Sequence, residues 1–267
     1  MGTALGTAER RVPDLDGNLL LQALDPRDRG LIAPRLEPRL VRRGDVLFDV
    51  GDAVSHVTFP MERSIVTLLV TLQDGRTVET ATVGREGAIG GVVSNGYLPA
   101  FSRAVVQVEG TVLRIEAERL QRAKQASHAL RDLLVRYSDC LVAQLLQSVA
   151  CNAAHSLEQR IMRWLLTLQD RLGTADLPVT HEVLAEMLGV RRAYLTETLG
   201  KLQREGLIRT GRGQLTLVDR ATAERASCEC HGNVRRHFEQ VLGTVHGRRG
   251  RILAVDAVAA SDREAAE

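Results

Sequence analysis

Short β-type segments separated by glycines occupy the chain from about residue 36 to residue 115. Runs such as VLFDV, IVTLLVTL, TVETATV and AVVQVEGTVLRI are rich in valine, isoleucine and threonine, which favour extended backbone. Short strands interrupted by glycine about every eight to twelve residues are typical of a small antiparallel barrel or sandwich. Asp74-Gly75, between two of these runs, predicts a two-residue hairpin with a type I′ turn. The sequence therefore predicts one β domain with its own core.

A segment without glycine or proline follows from residue 117 to residue 154, and its apolar residues have helical spacing. Its main row alternates spacings of four and three residues and consists of Leu130, Leu134, Tyr137 and Leu141. A neighbouring row consists of Leu133, Val142, Leu145, Leu146 and Val149. We expect one face of this helix to pack on the β domain and the main row to pair with the same helix of a second chain. The alternative is a helix that is buried entirely within its own subunit.

Two short helices joined by a tight turn are predicted between residues 180 and 204. Thr180 is a good N-cap for the segment HEVLAEML, and Gly189 allows the left-handed backbone that the connecting turn needs. Ala185 is small at the position where the second helix crosses the first. The following segment, LIRTGRGQLTLV, has the pattern of a strand, a Gly-Arg-Gly turn and a second strand. This order is typical of a winged helix-turn-helix.

Arg191 and Arg192 stand side by side at the start of the second of these helices. Cations are unfavourable there, because the helix dipole is positive at its N-terminus. In a helix-turn-helix, however, this end enters the major groove of DNA, where arginine binds phosphates or the O6 and N7 atoms of guanine. The predicted DNA-binding residues are Thr180, Arg191, Arg192, Tyr194, Thr196, Glu197, Lys201 and Arg212. The alternative is that the two arginines are solvated surface cations with no partner.

The order of β domain, long helix and winged helix resembles the Crp/Fnr family of bacterial transcription regulators. The resemblance covers roughly residues 20–218, and its strongest parts are VGREGAIGG, SRAVVQVEG, RIMRWLLTL and PVTHEVLAEMLGVRRAYLTETLGKLQREGLI. It implies an α+β protein with an antiparallel, jelly-roll-like β-roll as sensory domain, a long dimerisation helix and a DNA-binding winged helix-turn-helix. It also implies a cytoplasmic homodimer that is not an enzyme and binds an inverted repeat in double-stranded DNA, with RNA polymerase as a further candidate partner.

The resemblance and the residue pattern beyond it together divide the chain into five predicted parts. These are a cyclic-nucleotide-binding-like β-roll at residues 14–120, a dimerisation helix at 121–154, a winged helix-turn-helix at 155–218, a C-terminal helical extension at 219–247 and a disordered tail at 248–267. The recognition helix departs from the family, because cyclic-AMP receptors have Arg-Glu and a later Arg where Arg192, Ala193 and Glu197 stand here. We therefore do not expect the family's usual half-site, since Glu197 would accept a hydrogen bond from cytosine instead of donating one to guanine.

The sensory domain departs further from the family pattern. Gly91 stands where the family has a glutamate that binds the ribose, and Ser102-Arg103 reverse the family's Arg-Ser pair for the cyclic phosphate. Moving an arginine by one residue along a strand turns it to the opposite face. Leu145-Leu146 replace a Thr-Ser pair that contacts the base. We therefore expect no cyclic-AMP binding. The β-roll can still bind a small-molecule effector of another kind, for which the candidate residues are Gly90, Gly91, Ser102 and Arg103. The alternative is a β-roll that is only a structural platform, in a regulator that acts without any effector.

Composition leaves few other partners or cofactors to consider. The net charge of +2 is too small to indicate a polyanionic partner for the whole chain, and no apolar run reaches the roughly 18 residues of a membrane span. The four cysteines are few and scattered, which suits a reducing compartment. Cys228-Glu-Cys230-His231 lacks a second cysteine pair at zinc-finger spacing, so we predict no metal site and no cofactor. The first cysteine is Cys140, so an N-terminal iron–sulfur group is excluded, and the lone histidine of the β domain, His56, is expected to be structural.

Overall fold

The computed structural model describes residues 13–92, 98–247 and 250–255, which form a β-roll, a long helix, a winged helix and a C-terminal extension. Within these ranges the helices are α1 (Leu19–Gln22), α2 (Pro26–Ile32), α3 (Ala117–Ala126), α4 (His128–Ala154), α5 (Leu157–Leu172), α6 (His181–Leu188), α7 (Arg192–Arg204), α8 (Arg220–Ala226) and α9 (Cys230–Leu242). The strands are β1 (Glu37–Val41), β2 (Val46–Phe48), β3 (His56–Pro60), β4 (Ile65–Thr71), β5 (Thr77–Val83), β6 (Ile89–Gly90), β7 (Arg103–Val108), β8 (Gly110–Glu116), β9 (Asp176–Leu177), β10 (Ile208–Gly211), β11 (Gln214–Leu217), β12 (Val245–His246) and β13 (Ile252–Ala254). None of the helices in this described part is both long and apolar enough to cross a membrane.

Two antiparallel sheets of four strands each form the β-roll in the described residues, with the strand orders β1-β8-β3-β6 and β2-β7-β4-β5. Phe59 of β3 lies opposite Leu113 of β8 in the first sheet, and both side chains are buried. Val66 of β4 lies opposite Val106 of β7 in the second sheet, and both are buried as well. The expected fold class, an antiparallel β-roll followed by helices and a winged helix, is confirmed.

The β4–β5 hairpin is present, but its turn differs from the predicted one. β4 ends at Thr71, which pairs with Thr77 at the start of β5. Gly75 has a φ of +81°, whereas Asp74 is not in the positive-φ region that a type I′ turn requires of both central residues. The type I′ prediction is therefore wrong, because a longer loop with a single left-handed glycine joins the strands.

Ser127 separates α3 from α4, where the sequence predicted one dimerisation helix over residues 121–154. Its backbone is extended, and its side chain accepts a hydrogen bond from the Leu130 N–H at 3.0 Å. Such a cap satisfies a free N–H group at the start of a new helix. The predicted boundary is therefore wrong: α3 begins at Ala117 and belongs to the β-roll core through Leu120, and α4 alone is the long helix.

The main apolar row of α4 is buried within its own subunit. Leu130, Leu134 and Tyr137 belong to a core that α4 shares with the β-roll. Leu141 is partly buried against a second core, which the strands of the β-roll form. The Tyr137 hydroxyl donates a hydrogen bond to the Ala88 carbonyl oxygen at 2.8 Å. The prediction that this row forms the dimer interface is therefore wrong, because the β-roll already covers it.

A different apolar row of α4 is exposed. Val135, Val142, Leu146 and Val149 have 55%, 51%, 67% and 70% of their surface exposed. Steps of seven, four and three residues keep them on one face of a helix. Val142, Leu146 and Val149 belong to the neighbouring row of the sequence analysis, whereas Leu133 of that row is buried in the core shared with the β-roll.

The winged helix packs on one sheet of the β-roll. It consists of α5, α6, α7 and three strands in the order β10-β11-β9. Leu184 of α6 and Leu195 of α7 share a single core with Ile65 of β4. The indole N–H of Trp164 on α5 donates to the carboxylate of Glu79 on β5. The winged helix is therefore held against the sheet β2-β7-β4-β5 by apolar packing and by a buried polar contact.

The C-terminal extension packs along α4 and α5. Phe238 of α9 lies in the same core as Ile252 of β13 and Val255. The expectation of a disordered tail is wrong for residues 250–255, because Ile252 and Val255 are buried and β13 pairs with β12. Residues 248–249 and 256–267 of the expected tail lie outside the described residues.

Candidate nucleic-acid interface

The turn between α6 and α7 has the geometry that a helix-turn-helix requires. Thr180 caps α6, since its Oγ1 accepts a hydrogen bond from a backbone N–H of the first turn at 3.3 Å. Gly189 ends α6 with a φ of +65°, and the Val190 N–H bonds to the Ala185 carbonyl oxygen at 3.0 Å. A Cβ at residue 189 would be strained in this backbone and would lie 2.9 Å from a methyl group of Val78 on β5. Glycine is therefore needed both for the turn and for close packing on the β-roll.

The N-terminus of α7 is exposed and carries the arginine pair. Arg191 is the N-cap residue, with an extended backbone and no capping hydrogen bond from its side chain. Arg192 is the first residue of the helix, and both side chains are exposed. The free N–H groups of the helix end and two guanidinium groups thus face solvent together, which makes this end suited to binding a phosphate or another anion.

The other predicted residues of α7 lie on the same exposed face. Its exposed residues include Tyr194, Thr196, Glu197 and Lys201. Its buried residues, which pack on the rest of the winged helix, are Leu195, Thr198, Leu199 and Leu202. Arg212 is exposed in the turn between β10 and β11, at the tip of the wing. These predicted DNA-binding residues of α7 and of the wing are therefore accessible to a partner at the surface of the winged helix.

One of the predicted cations already has a partner, whereas the arginines do not. Lys201 Nζ lies 3.1 Å from Glu158 Oε1 on α5, and this hydrogen bond raises the pKa of Lys201. Among the described residues, no carboxylate forms an ion pair with Arg191, Arg192 or Arg212. A polyanion can therefore bind these three arginines without first breaking an ion pair.

His181 is a candidate interface residue that the sequence reasoning missed. It is the first residue of α6, and its Nδ1 lies 3.3 Å from Thr196 Oγ1 on α7. Partial burial, and then the positive charge of Arg192, lower the pKa of His181. Its position directly after the Thr180 cap was the available signal, because the N-terminus of the first helix also lies near the DNA backbone in this motif.

A cavity of about 240 Å³ in the β-roll is lined by three of the four predicted effector residues. Gly90, Gly91 and Ser102 contribute to its wall, together with Ser138 and Leu141 of α4. None of the described residues that line it is charged. An anion would lose its hydration here without gaining an ionic partner, so the cavity favours a small uncharged molecule.

Arg103 does not line this cavity. Its Nε donates to Asp49 Oδ2 at 3.0 Å, and this hydrogen bond lowers the pKa of Asp49. The prediction of Arg103 as an effector residue is therefore not supported, because the guanidinium is directed to a carboxylate at the end of β2. Leu146, which replaces a polar base contact of the family in the sequence analysis, is exposed and does not line this cavity, whereas Ser138 of α4 does.

The structure also joins residues that the sequence did not connect. The ligand atoms of four side chains lie within 4.8 Å of one another at the end of α4, and these residues are Cys151, His155, Cys228 and Cys230. His231, which the sequence grouped with the last two cysteines, is directed elsewhere, with its Nε2 2.7 Å from Asp170 Oδ2. The histidine that lies with these cysteines is therefore His155, and not His231, which is adjacent to Cys230 in the sequence.

Comparison with known proteins decides the class of the chain. Residues 159–224 match the Crp-like helix-turn-helix domain. The chain is a DNA-binding transcription regulator of the Crp/Fnr type. This match contains α6, α7 and both strands of the wing, so the exposed arginine end of α7 belongs to the DNA-binding module of a Crp/Fnr-type regulator.

Relatives of this Crp/Fnr-type regulator cover the β-roll as well as the DNA-binding domain. The global nitrogen regulator of Nostoc sp. (strain PCC 7120 / SAG 25.82 / UTEX 2576) is 24% identical over 193 residues, which are 68% of this chain and 86% of that protein. FixK2 from Bradyrhizobium japonicum has a TM-score of 0.63 at 15% identity and covers 72% of this chain and 98% of its own. The c-di-GMP-responsive regulator CLP of Xanthomonas campestris has a TM-score of 0.62 at 19% identity, with 73% and 100% covered. At these identities the structural likeness shows the shared fold.

Proposed function

We propose that this protein is a homodimeric regulator that recognises a specific inverted repeat in double-stranded DNA through α7. The observation that carries the proposal is the exposed N-terminus of α7, where Arg191 and Arg192 lie without an ion pair among the described residues. Two unpaired cations at a positive helix end are unfavourable in the free protein, and a polyanion removes that penalty. DNA is the polyanion that fits this end of a helix-turn-helix.

Different residues of α7 have different roles in this proposal. Arg192, in the first turn of the helix, reaches a base edge and binds guanine O6 and N7. Glu197, on the exposed face of the second turn, accepts a hydrogen bond from cytosine. Arg191 precedes the helix and binds the phosphate backbone, as does Arg212 at the wing tip. Base contacts supply sequence preference, while phosphate contacts supply affinity for any sequence.

The proposed dimer interface is the exposed row of α4, Val135, Val142, Leu146 and Val149. A helix whose residues are apolar on two separate faces needs two partners. The β-roll covers one face of α4, and the same row of a second chain fits the other, since its spacing is that of a two-stranded coiled coil. The two-fold axis of such a dimer gives two recognition helices, so we expect half-sites whose centres are about 10–11 base pairs apart.

The β-roll cavity supports an effector that is small and uncharged. Its wall combines apolar side chains with the hydroxyls of Ser102 and Ser138. Because Ser138 lies on α4, a molecule in the cavity would contact the helix that carries the dimer interface. The alternative is a regulator that acts without an effector and in which the β-roll is only a structural platform for the dimer.

The decisive experiment measures how the two arginines contribute to DNA binding. Bound genomic sites are first obtained by footprinting, and one of them and a scrambled duplex are titrated with the wild-type protein and with Arg192→Ala. We expect this change to weaken binding to the specific duplex by about 1–3 kcal/mol and to relax the preference at one base pair of each half-site.

Arg63→Ala is the matched control, since Arg63 is an exposed arginine in the turn between β3 and β4 of the β-roll. It should bind both duplexes like the wild type. If Arg192→Ala binds the specific duplex as tightly as Arg63→Ala does, α7 is not the helix that recognises the sequence. A thermal-shift screen against uncharged metabolites tests the effector separately, because a molecule that binds the folded protein raises its melting temperature.

A further inference from the structure

Three cysteines and one histidine form a buried cluster where α4 ends. Cys151 Sγ lies 3.6 Å from Cys228 Sγ, and Cys230 Sγ lies 3.5 Å from His155 Nδ1. All four ligand atoms lie within 4.8 Å of one another. The three thiols form a cluster of their own, separate from the hydrophobic cores of the described residues. Apolar packing alone does not require three thiols and an imidazole to meet at one point, and all four groups can bind a metal ion.

Helix geometry and the C-terminal extension bring these side chains together. Cys151 and His155 are four residues apart, one helical turn, at the C-terminal end of α4. Cys228 and Cys230 flank the junction between α8 and α9. The extension returns to α4 because α9 packs along it, which carries both cysteines to the end of the helix.

We propose that Cys151, His155, Cys228 and Cys230 bind one zinc ion in a closed structural site. Zinc in such sites is tetrahedral, with bonds of about 2.3 Å to sulfur and about 2.0–2.1 Å to nitrogen. A tetrahedron with those bond lengths has edges of about 3.8 Å between two sulfurs and about 3.6 Å between sulfur and nitrogen. The Cys151–Cys228 distance of 3.6 Å and the Cys230–His155 distance of 3.5 Å match these edges. Three thiolates and an imidazole are the soft donors that select zinc over magnesium or calcium.

The groups around the cluster orient its ligands as in protein zinc sites. Glu229 Oε1 lies 3.3 Å from His155 Nε2, which leaves Nδ1 of the same ring directed to the thiols. A carboxylate on the second ring nitrogen fixes the tautomer and strengthens the imidazole as a ligand. The Gln147 side-chain amide donates to Cys230 Sγ at 3.0 Å, and such a donor stabilises a thiolate. These two contacts, from Glu229 and from Gln147, are observations that do not depend on the distances between the ligands.

The position of the cluster gives the metal a structural role. His155 is the C-cap of α4 and Ser156 is the N-cap of α5, so the site lies at the joint between the long helix and the winged helix. A bound zinc ion would link the α4–α5 junction to the α8–α9 extension, because α4 supplies Cys151 and His155 and the extension supplies Cys228 and Cys230. The ion would thereby fix the extension and the angle between α4 and α5. No position remains open for water or substrate, which distinguishes this site from a catalytic one.

Metal analysis of the full-length protein tests the site. We expect one zinc ion per chain after purification under reducing conditions. Cobalt, exchanged for zinc, should give the visible absorption of a tetrahedral thiolate complex. Separate changes of Cys151→Ser, Cys228→Ser, Cys230→Ser and His155→Gln should each lower zinc affinity by more than tenfold. Glu229→Gln should retain the ion with an affinity lowered by about 10- to 100-fold.

Cys140→Ser is the matched control, because Cys140 is a buried thiol of α4 that lies in the β-roll core, away from the cluster. It should keep one zinc ion per chain. A strong chelator should lower the melting temperature of the wild type and of Cys140→Ser but not that of Cys151→Ser, which checks the site even where a ligand variant is less stable. The proposal is overturned if the zinc-supplemented wild type binds no metal, if the ligand variants bind zinc like Cys140→Ser, or if mass spectrometry finds a Cys151–Cys228 disulfide in place of the metal.

Discussion

Arg171 of the winged helix and Glu86 of the β-roll form a buried ion pair, in which Arg171 Nε donates to Glu86 Oε1 at 2.8 Å. The two side chains are only 7% and 2% exposed. Arg171 Nη2 also donates to the Thr82 carbonyl oxygen at 2.7 Å, at the end of β5. One guanidinium on α5 therefore binds both a side chain and the backbone of the β-roll, and it joins the two domains where the apolar core also crosses between them.

Removing this guanidinium should destabilise the protein strongly. Arg171→Met keeps much of the side chain's volume but leaves Glu86 as a buried, unpaired charge, so we expect a loss of about 3–5 kcal/mol in the free energy of unfolding. Urea denaturation measures this value. Arg76→Met, which breaks the exposed pair between Arg76 and Asp74, is the control and should change stability by less than about 1 kcal/mol. Equal losses in the two variants would contradict the role of the buried pair.

The exposed row of α4 should control the oligomeric state. Introducing Glu at both Val142 and Leu146 would bury charges in the proposed interface, so the double variant should be monomeric by light scattering at micromolar concentration. Leu134→Ala removes a side chain that is buried inside the subunit, so it should lower stability by about 2–5 kcal/mol and leave the dimer intact. A dimeric double variant, or a monomeric wild type, would rule out this interface.

Arg191 should contribute affinity without sequence preference. We expect Arg191→Ala to weaken binding to specific and scrambled duplexes by the same factor, because a phosphate contact does not distinguish bases. The slope of log K against log salt concentration should become less negative by about one unit, since one fewer counterion is displaced. Fluorescence titrations at several salt concentrations measure both quantities. A selective loss on the specific duplex would instead indicate that Arg191 contacts a base.

DNA affinity should increase as the pH falls, and His181 should cause part of the increase. Partial burial and the charge of Arg192 lower the pKa of His181 in the free protein below its ordinary 6.5, so its imidazole is neutral at pH 7. Nearby phosphates would raise this pKa in the complex, so binding takes up a proton at pH values above the free pKa and below the bound one. Titrations between pH 8 and pH 6 should show a weaker pH dependence for His181→Gln than for the wild type. The same slope in both proteins would exclude a contribution from His181.

Cyclic AMP should not bind the β-roll with micromolar or tighter affinity. The described wall of the cavity has no charged group to hold the cyclic phosphate, and Arg103 is already paired with Asp49. Calorimetry with cyclic AMP should therefore detect no stoichiometric site, and the nucleotide should leave DNA affinity unchanged. A site of micromolar or tighter affinity would mean that the cavity changes its shape to admit the nucleotide.

The parts that sequence predicted correctly depend on local backbone chemistry. The Thr180 cap, the left-handed Gly189 and the turn of the wing are each specified by a few neighbouring residues, since caps and positive φ angles depend on residues near in sequence. The positions of Arg191 and Arg192 at the helix start follow directly from these signals. For the same reason the break at Ser127 could have been anticipated, because Ser is a good N-cap and its hydrogen bond reaches only to Leu130.

Tertiary structure decided which residues far apart in the chain meet. Periodicity indicated that α4 has two apolar rows, but it could not tell which row the β-roll covers, because both rows are equally apolar. The partner of Arg103 is 54 residues away at Asp49, and the partner of Cys151 is 77 residues away at Cys228. Neither pair has a local signature, since each is formed by the packing of separate elements. The sequence thus determined most of the elements and the position of the arginine pair at the start of α7, while packing alone determined the exposed face of α4 and the cysteine–histidine cluster.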